Sequence, residues 1–197
     1  MARLQKIAPM LVGFGLAAAW AAAGPLATGD SYRITTARVR VMCPLTVGGS
    51  FEAQTDAVIG DLTVADESGS VGGEVQVDLA TLETGIGLRD QHMKDKYLEI
   101  HRSQALTVAT LEEIHIERTE EGSMPFHGRL TLHGEQHTIS GMADLQAQSH
   151  GGGVRVRARF PISLAAFGIQ PPHYLGVGVR DEVQVQVQFT TISASDH

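Results

Sequence analysis

Apolar and polar residues alternate along most of the chain from Arg33 onward. The pattern is clearest in residues 154–160, VRVRARF, and in residues 182–189, EVQVQVQF. The apolar faces of these two runs consist of Val154, Val156, Ala158 and Phe160, and of Val183, Val185, Val187 and Phe189. Because successive side chains of a strand point to opposite faces, this pattern predicts antiparallel strands with one buried and one wet face.

Similar runs, separated by turn-forming residues, predict about eight strands in total. The nine candidate runs, of which about eight are expected to form the barrel, cover residues 32–41, 49–57, 58–65, 74–79, 106–116, 126–132, 138–148, 154–163 and 182–190. Residues 66–73 and the dipeptide Gly134-Glu135 have the composition of turns. A sheet of this size has unpaired edges unless it closes into a barrel. The pattern therefore predicts an all-β fold, a single antiparallel barrel, with a β-sandwich as the alternative.

The period changes within the sequence GIGLRDQHMKDKYLEI, where about residues 88–98 predict one helix inserted among the strands. Met93 and Tyr97 stand one helical turn apart. Asp90 and Lys94 have the same i,i+4 spacing, which brings opposite charges together on a helix. A lone helix in a small all-β protein indicates a plug or lid at one end of a barrel.

Residues 1–23 have the pattern of a secretory signal peptide. Two basic residues precede an apolar run, and Ala21 and Ala23 are the small residues that cleavage requires. An uncleaved membrane anchor is the alternative, although the run is short for a spanning helix of ~20 residues. We expect one domain at residues 30–192, periplasmic or secreted, without stable membrane insertion after cleavage.

The chain is acidic, with a net charge of −7. Removal of residues 1–23 takes away two basic residues and no acidic one, so the expected charge of the mature protein is −9. This balance favours neither nucleic acid nor, by charge alone, an anionic membrane as a partner. Cys43 is the single cysteine, which excludes an intramolecular disulfide and predicts a small buried hydrophobe. A reactive or dimerising thiol is the alternative, so a homodimer stays open.

The helical segment also carries the first part of an ordered set of motifs. The set consists of Leu82, Thr84, Gly85, Arg89, Asp90, His92 and Met93, then Gly128, Leu130, Leu132, His133 and Gly134, then Phe167, Gly168 and Ile169, then Asp181, Glu182 and Val183. It resembles the YceI-like family, small secreted bacterial proteins with a lipocalin-like barrel. Members usually have a Pro after the helix and then a Phe-x-Ser strand, where this chain reads SQALTVAT. The resemblance implies a lipocalin-like barrel with a polyisoprenoid chain inside it.

The chain offers little for catalysis or metal binding. His127, His133 and His137 are close in sequence, but zinc needs three or four ligands that converge from neighbouring strands. No Gly-x-Ser-x-Gly turn is present, and Asp90 and His92 would point to different faces of a helix. We therefore expect no enzyme and no cofactor or metal, with a histidine-based metal site or enzyme as the least favoured alternative.

The expected ligand site is the barrel interior and its mouth. Residues that could line the cavity are Phe51, Met93, Tyr97, Phe126, Val154, Val156, Ala158, Phe160, Val183, Val185, Val187 and Phe189, and residues that could orient a head group are Arg89, His92, Tyr97 and Tyr174. We expect a long isoprenoid chain there, a polyprenyl lipid or an isoprenoid quinone, since burial stabilises apolar surface by ~25 cal/mol per Å². The alternative is a secreted stress-response or protein-interaction module with a fully packed core, which would have the same composition.

Overall fold

The computed structural model describes residues 29–64, 69–117, 119, 122–148, 152–174 and 176–194, with the backbone alone for Tyr174. The predicted signal peptide lies outside the described residues. The strands are β1 (Ser31–Pro44), β2 (Ser50–Thr55), β3 (Val58–Val64), β4 (Ser70–Asp78), β5 (Val108–Ile116), β6 (Met124–Leu132), β7 (Glu135–Ala147), β8 (Val154–Ser163), β9 (His173–Tyr174), β10 (Val177–Gly178) and β11 (Glu182–Ser193).

Eight of these strands form a closed antiparallel barrel in the order β11-β8-β7-β6-β5-β4-β3-β1, with β1 pairing back onto β11. Closure depends on the length of β1, which has 14 residues. One edge of β1 pairs with β11 over residues 32–42, while the first residues of β1 also pair with β3 and its last residues also pair with β2. The predicted single barrel is confirmed, and the β-sandwich alternative is wrong.

The alternating pattern sets which side chains fill the barrel. Val185 of β11 faces Phe160 of β8, and both are buried, while the next pair, Gln186 and Arg159, points outward into solvent. Phe126 of β6 meets Phe160 edge to face, with ring centroids 5.9 Å apart. An edge-to-face contact is the arrangement that aromatic rings prefer. The core is therefore the barrel interior, and it is apolar because each strand contributes every second residue.

Strand β4 begins inside residues 66–73, the stretch whose composition predicted a turn. Residues 70–73 are strand, so the prediction was wrong there. Gly73 pairs with Leu62 and has a φ of +88°, and a Cβ at this position would lie 2.0 Å from the carbonyl oxygen of Asp61. Glycine is required here because only its backbone can approach the neighbouring strand so closely at a bulge.

The turn between β6 and β7 consists of His133 and Gly134, with φ values of 53° and 81°. Two positive φ values are the geometry that joins strands in a tight two-residue hairpin. Leu132 pairs with Glu135, which belongs to β7. The hairpin is confirmed, but its turn lies one residue before the predicted Gly134-Glu135.

One helical segment covers an end of the barrel, as the sequence predicts. It begins as α1 (Gly87–His92) and continues as a wider π-helical turn (Met93–Tyr97), in which the Leu98 N–H donates to the Met93 carbonyl at 2.9 Å. We call residues 87–97 the mouth helix. No helix in the described part of the chain is long and apolar enough to cross a membrane.

Candidate ligand-binding site

The barrel encloses a narrow apolar cavity of about 180 Å³, here called the inner tube. Of the predicted cavity residues, the structure places eight around it, namely Phe126, Val154, Val156, Ala158, Phe160, Val185, Val187 and Phe189. They come from three strands whose alternation the sequence makes plain. Side chains of β1, β3, β4, β5 and β7 complete the wall, among them Val39, Leu62, Val75, Leu111 and Leu145. Thr191 and Tyr32 contribute the polar atoms of this lining.

A second and larger cavity, of about 720 Å³, lies between the mouth helix and the end of the barrel. We call it the mouth chamber. Six predicted residues line it, namely Phe51, Arg89, His92, Met93, Tyr97 and Val183. Its volume falls within the range of ~300–1,000 Å³ that is usual for small-molecule sites. The side chain of Tyr174, also predicted here, lies outside the described residues.

The two cavities adjoin at the end of the barrel. Val41, Leu79, Leu132 and Ile162 line both of them. Val41, Leu132 and Ile162 lie near the ends of β1, β6 and β8, and Leu79 follows β4 directly. All four therefore lie at the same end of the barrel. These four apolar side chains therefore form the boundary between the mouth chamber and the inner tube.

The rim of the mouth chamber is apolar and open to water. Ile86, Leu88 and Val177 are 50%, 65% and 39% exposed, and all three line the chamber. Large apolar side chains that cluster at the edge of a cavity are unusual on a soluble protein and mark a binding surface. The mouth chamber thus opens to water through an apolar rim.

Two cations lie against aromatic rings at the mouth. The Arg89 guanidinium carbon is 4.3 Å from the centroid of the Phe51 ring, and the Lys96 Nζ is 5.5 Å from the centroid of Tyr97. Both distances are within the ~6 Å at which a cation is attracted to an aromatic face. His92 and His173 also line the chamber. Lys96 and His173 were not among the predicted residues.

Asp90 fixes the start of the mouth helix rather than facing the chamber. Its Oδ1 accepts hydrogen bonds from the Thr84 N–H at 2.7 Å and the Thr84 hydroxyl at 2.6 Å. Burial raises the pKa of Asp90, but the two Thr84 hydrogen bonds and the charges of Lys94 and Arg89 outweigh it, so that the pKa is lowered. Asp90 and Thr84 both belong to the motif set, and the hydrogen bonds between them hold the mouth helix in place.

The other acids of this region also have partners. Asp95 lies 2.9 Å from the His101 Nε2, and Glu99 accepts from the Arg102 Nη1 at 2.6 Å. Neither carboxylate lines the mouth chamber. The ion pairs of the mouth helix therefore leave Arg89 and Lys96 as its charged groups at the cavity.

Cys43 lines the mouth chamber and is half-buried. Burial raises the pKa of its thiol to about 11, against the positive charge of Arg89, which lowers it. The thiol is therefore protonated at neutral pH and packs as a small apolar group, as its position in an apolar run predicted.

The later motifs hold the loops around the mouth. His133 Nδ1 lies 3.1 Å from the Phe167 carbonyl oxygen, which joins the β6–β7 turn to the turn after β8. Asp181 accepts from the Ala165 N–H at 2.7 Å and from the Ser163 hydroxyl at 2.6 Å. The hydrogen bonds lower the pKa of Asp181, the Ser163 bond having the largest effect. Residues 165–172 are thereby fixed beside the chamber.

The three histidines that invited a metal site do not converge. His127 pairs with His115 across two strands, with ring centroids 5.1 Å apart, while His137 packs against Phe167. His133 is bonded to the Phe167 carbonyl oxygen. Within the described residues, no group of three or more histidine, cysteine or acidic side chains has the geometry to hold a metal ion.

Several chamber residues were missed by the sequence analysis. Besides Val41, Leu132 and Ile162, which also line the inner tube, they are Cys43, Leu45, Ala53, Leu79, Leu82, Ile86, Leu88, Lys96, Leu98, Leu164, Ile169, Pro172, His173, Val177, Gly178 and Val179. Most of them lie in turns and short segments between strands, where no period marks a buried face. Leu82 and Ile169 do belong to the motif set, so that set was the one available signal for them.

Comparison with known proteins identifies the family. The profile of the YceI-like domain matches residues 32–191. The chain belongs to the YceI-like family. No curated protein matches the chain.

Several solved structures have the same YceI-like fold. BcnA of Burkholderia cenocepacia has a TM-score of 0.65 and 16% identity, covering 78% of this chain and 95% of its own. A polyisoprenoid binding domain from Saccharophagus degradans, implicated in plant cell wall breakdown, has a TM-score of 0.60 and 15% identity, covering 82% and 98%. The Campylobacter jejuni YCEI protein has a TM-score of 0.53 and 14% identity, covering 74% and 85%. At these identities the similarity establishes the fold.

Proposed function

We propose that this YceI-like protein is a non-enzymatic carrier that holds a long isoprenoid chain, a polyprenyl lipid or an isoprenoid quinone, in the inner tube and the mouth chamber. The observation that carries this proposal is the apolar lining that the inner tube and the mouth chamber share at Val41, Leu132 and Ile162. A narrow tube removes most of the surface of an extended chain from water, and this burial is the driving force for binding. The relative from Saccharophagus degradans, named for polyisoprenoid binding, supports the same class of ligand.

Export is part of the proposal. A carrier of a water-insoluble lipid is useful in an aqueous space next to a membrane, such as the periplasm. The N-terminal pattern of residues 1–23 supports cleavage before Gly24. The intact mass of the protein recovered from the envelope fraction tests this, because a product that still includes residues 1–23 would contradict it.

A protein-interaction module with a packed core is the second candidate, and the small volume of the inner tube favours it. With a volume of about 180 Å³, the inner tube is smaller than the usual small-molecule site, which has a volume of ~300 Å³ or more. A ligand chain can therefore enter only if side chains of the tube move outward. Otherwise the tube holds no ligand and its side chains form a packed core.

Lipid extraction separates the two candidates. The protein is purified from the host that exports it, and its organic extract is analysed by mass spectrometry beside an extract of the same protein after delipidation and refolding. The carrier predicts an isoprenoid present in near-equal amount to the protein. An extract without lipid, from a folded protein that also takes up no added polyprenol, would support the packed module instead.

A further inference from the structure

The ionisable side chains that line the mouth chamber are mainly cationic or imidazole groups. Apart from the Tyr97 phenol and the neutral Cys43 thiol, they are Arg89, Lys96, His92 and His173. Among the described residues, no aspartate or glutamate lines it. In the described part of this acidic protein, cationic and imidazole groups therefore lie at the opening of an apolar cavity, without a carboxylate among them.

These groups have unused hydrogen-bonding capacity. Within the described part of the chain, Arg89 and Lys96 contact aromatic rings but form neither a hydrogen bond nor an ion pair with a carboxylate. The nearest acids are held elsewhere, Asp90 by Thr84 and Asp95 by His101. Arg89 is also half-buried, and its guanidinium lies over one face of the Phe51 ring.

A partly buried cation that forms no direct ion pair is a favourable site for an anion. Hydrogen bonds between a guanidinium or ammonium group and a phosphate or carboxylate are shorter and stronger than neutral ones. The low polarity of the surrounding chamber strengthens them further. A neutral head group would use the donors of Arg89 without compensating its charge.

We propose that the lipid held by this protein has an anionic head group, a phosphate ester or a carboxylate at the end of the apolar chain, which Arg89 and Lys96 bind in the mouth chamber. This inference rests on the proposed carrier function and selects among its ligands. A polyprenyl phosphate fits it, whereas a quinone or a free polyprenol lacks the anion. His92 and His173 place imidazole rings at the same opening.

The test compares lipids that share one chain and differ in the head group. Geranylgeraniol, its monophosphate and the corresponding carboxylic acid are titrated into the delipidated protein, and their dissociation constants are measured at low and at high salt. We expect the phosphate, the acid or both to bind about tenfold or more tightly than the alcohol, since one charge-assisted hydrogen bond accounts for such a ratio. We expect the ratio to fall at high salt, because ions screen exposed charges.

Variants locate the effect. Lys96→Gln should weaken binding of the phosphate several-fold and leave the alcohol unchanged, and Arg89→Gln should remove most of the preference for an anion. Lys94→Gln is the matched control, since it removes the same charge from the same segment but Lys94 does not line the chamber. Thermal unfolding of each variant checks that the fold is kept.

The outcomes distinguish this inference from the function on which it rests. If the alcohol binds as tightly as both anions, the inference is overturned while the carrier function stands. If Lys96→Gln and Arg89→Gln behave like Lys94→Gln, an anion preference has another origin and the proposed site is wrong. If none of the three lipids binds, the carrier function itself fails.

Discussion

The inner tube and the mouth chamber belong to one barrel but are built in different ways. The tube consists of residues from regular strands, each of which contributes every second side chain, and its lining is apolar almost throughout. The chamber consists of the mouth helix, the turns after β4 and β8, and the β9–β10 hairpin, and it combines apolar walls with cations. The tube thus provides burial for any apolar chain of suitable width, whereas the chamber is where one lipid can be distinguished from another.

The largest effect should come from placing a charge in the inner tube. Phe160 is 5% exposed and packs against Phe126, so Phe160→Arg loses this contact and buries a cation without a partner. We expect a loss of about 3–5 kcal/mol in the free energy of unfolding, measured by urea denaturation. Arg159→Ala, on the outward face of the same strand, should stay within about 0.5 kcal/mol of wild type. Equal stabilities for the two variants would mean that the inner tube is not an apolar interior shielded from water.

The next effect concerns the two ends of the mouth helix. Leu98, directly after it, is 8% exposed, whereas Leu88 near its start is 65% exposed at the rim. Leu98→Ala should lower the free energy of unfolding by about 2–4 kcal/mol, because it leaves a cavity in the core. Leu88→Ala should leave stability unchanged within about 0.5 kcal/mol and instead weaken ligand uptake. If Leu98→Ala proves neutral, the segment is a detachable lid rather than part of the core.

The same contrast explains what sequence analysis could and could not predict. The wall of the inner tube was predictable because period-two alternation in β8 and β11 has one physical cause, the pleat of the strand. The mouth chamber has no such signal, since Leu45, Ile169 and Val179 come from separate turns and meet there through tertiary folding alone. The sequence also did not show which charged side chains of the mouth helix would line the chamber. Asp95 pairs with His101, and the separation of these two residues does not match the contacts of a regular helix.

Two local errors have the same origin. The hairpin turn was displaced by one residue because Gly134 marks a positive φ but does not reveal that His133 adopts one as well. Residues 70–73 were predicted as a turn because glycine is common in turns, while Gly73 is needed for close contact between strands at a bulge. Both features depend on how the chain is aligned with the neighbouring strand, and this register cannot be read from amino-acid composition.

A smaller effect should follow from loosening the start of the mouth helix. Asp90→Asn weakens the charge-assisted hydrogen bonds from Thr84, and we expect a loss of about 1–2 kcal/mol at pH 7. Because the pKa of Asp90 is lowered in the folded protein, its stabilisation is complete above the unfolded value of ~3.9 and is lost as the pH falls through the folded value. The stability difference between wild type and variant should therefore disappear below this range, as measured by denaturation at several pH values. A difference that stays constant down to low pH would contradict this account of Asp90.

The smallest effect is a chemical one at Cys43. Since the pKa of its thiol is raised to about 11, alkylation by iodoacetamide should be slow at pH 7 and should accelerate steadily towards that value. Bound lipid should slow it further, because Cys43 lines the mouth chamber. Mass spectrometry follows the modification, with the unfolded protein as the control for intrinsic reactivity. A rate that bound lipid leaves unchanged would place the ligand away from the chamber.

The most direct test of a lipid chain in the inner tube is the amount of lipid that copurifies with Val187→Arg. Val187 lines the tube but is only half-buried, so this variant is more tolerant of the charge than Phe160→Arg. Gln186→Ala, one residue earlier and facing outward, is the matched control. Our account predicts that Gln186→Ala carries as much lipid as wild type and that Val187→Arg, shown to be folded by circular dichroism, carries almost none. A folded Val187→Arg protein with the full amount of lipid would contradict it, because the chain would then lie outside the barrel.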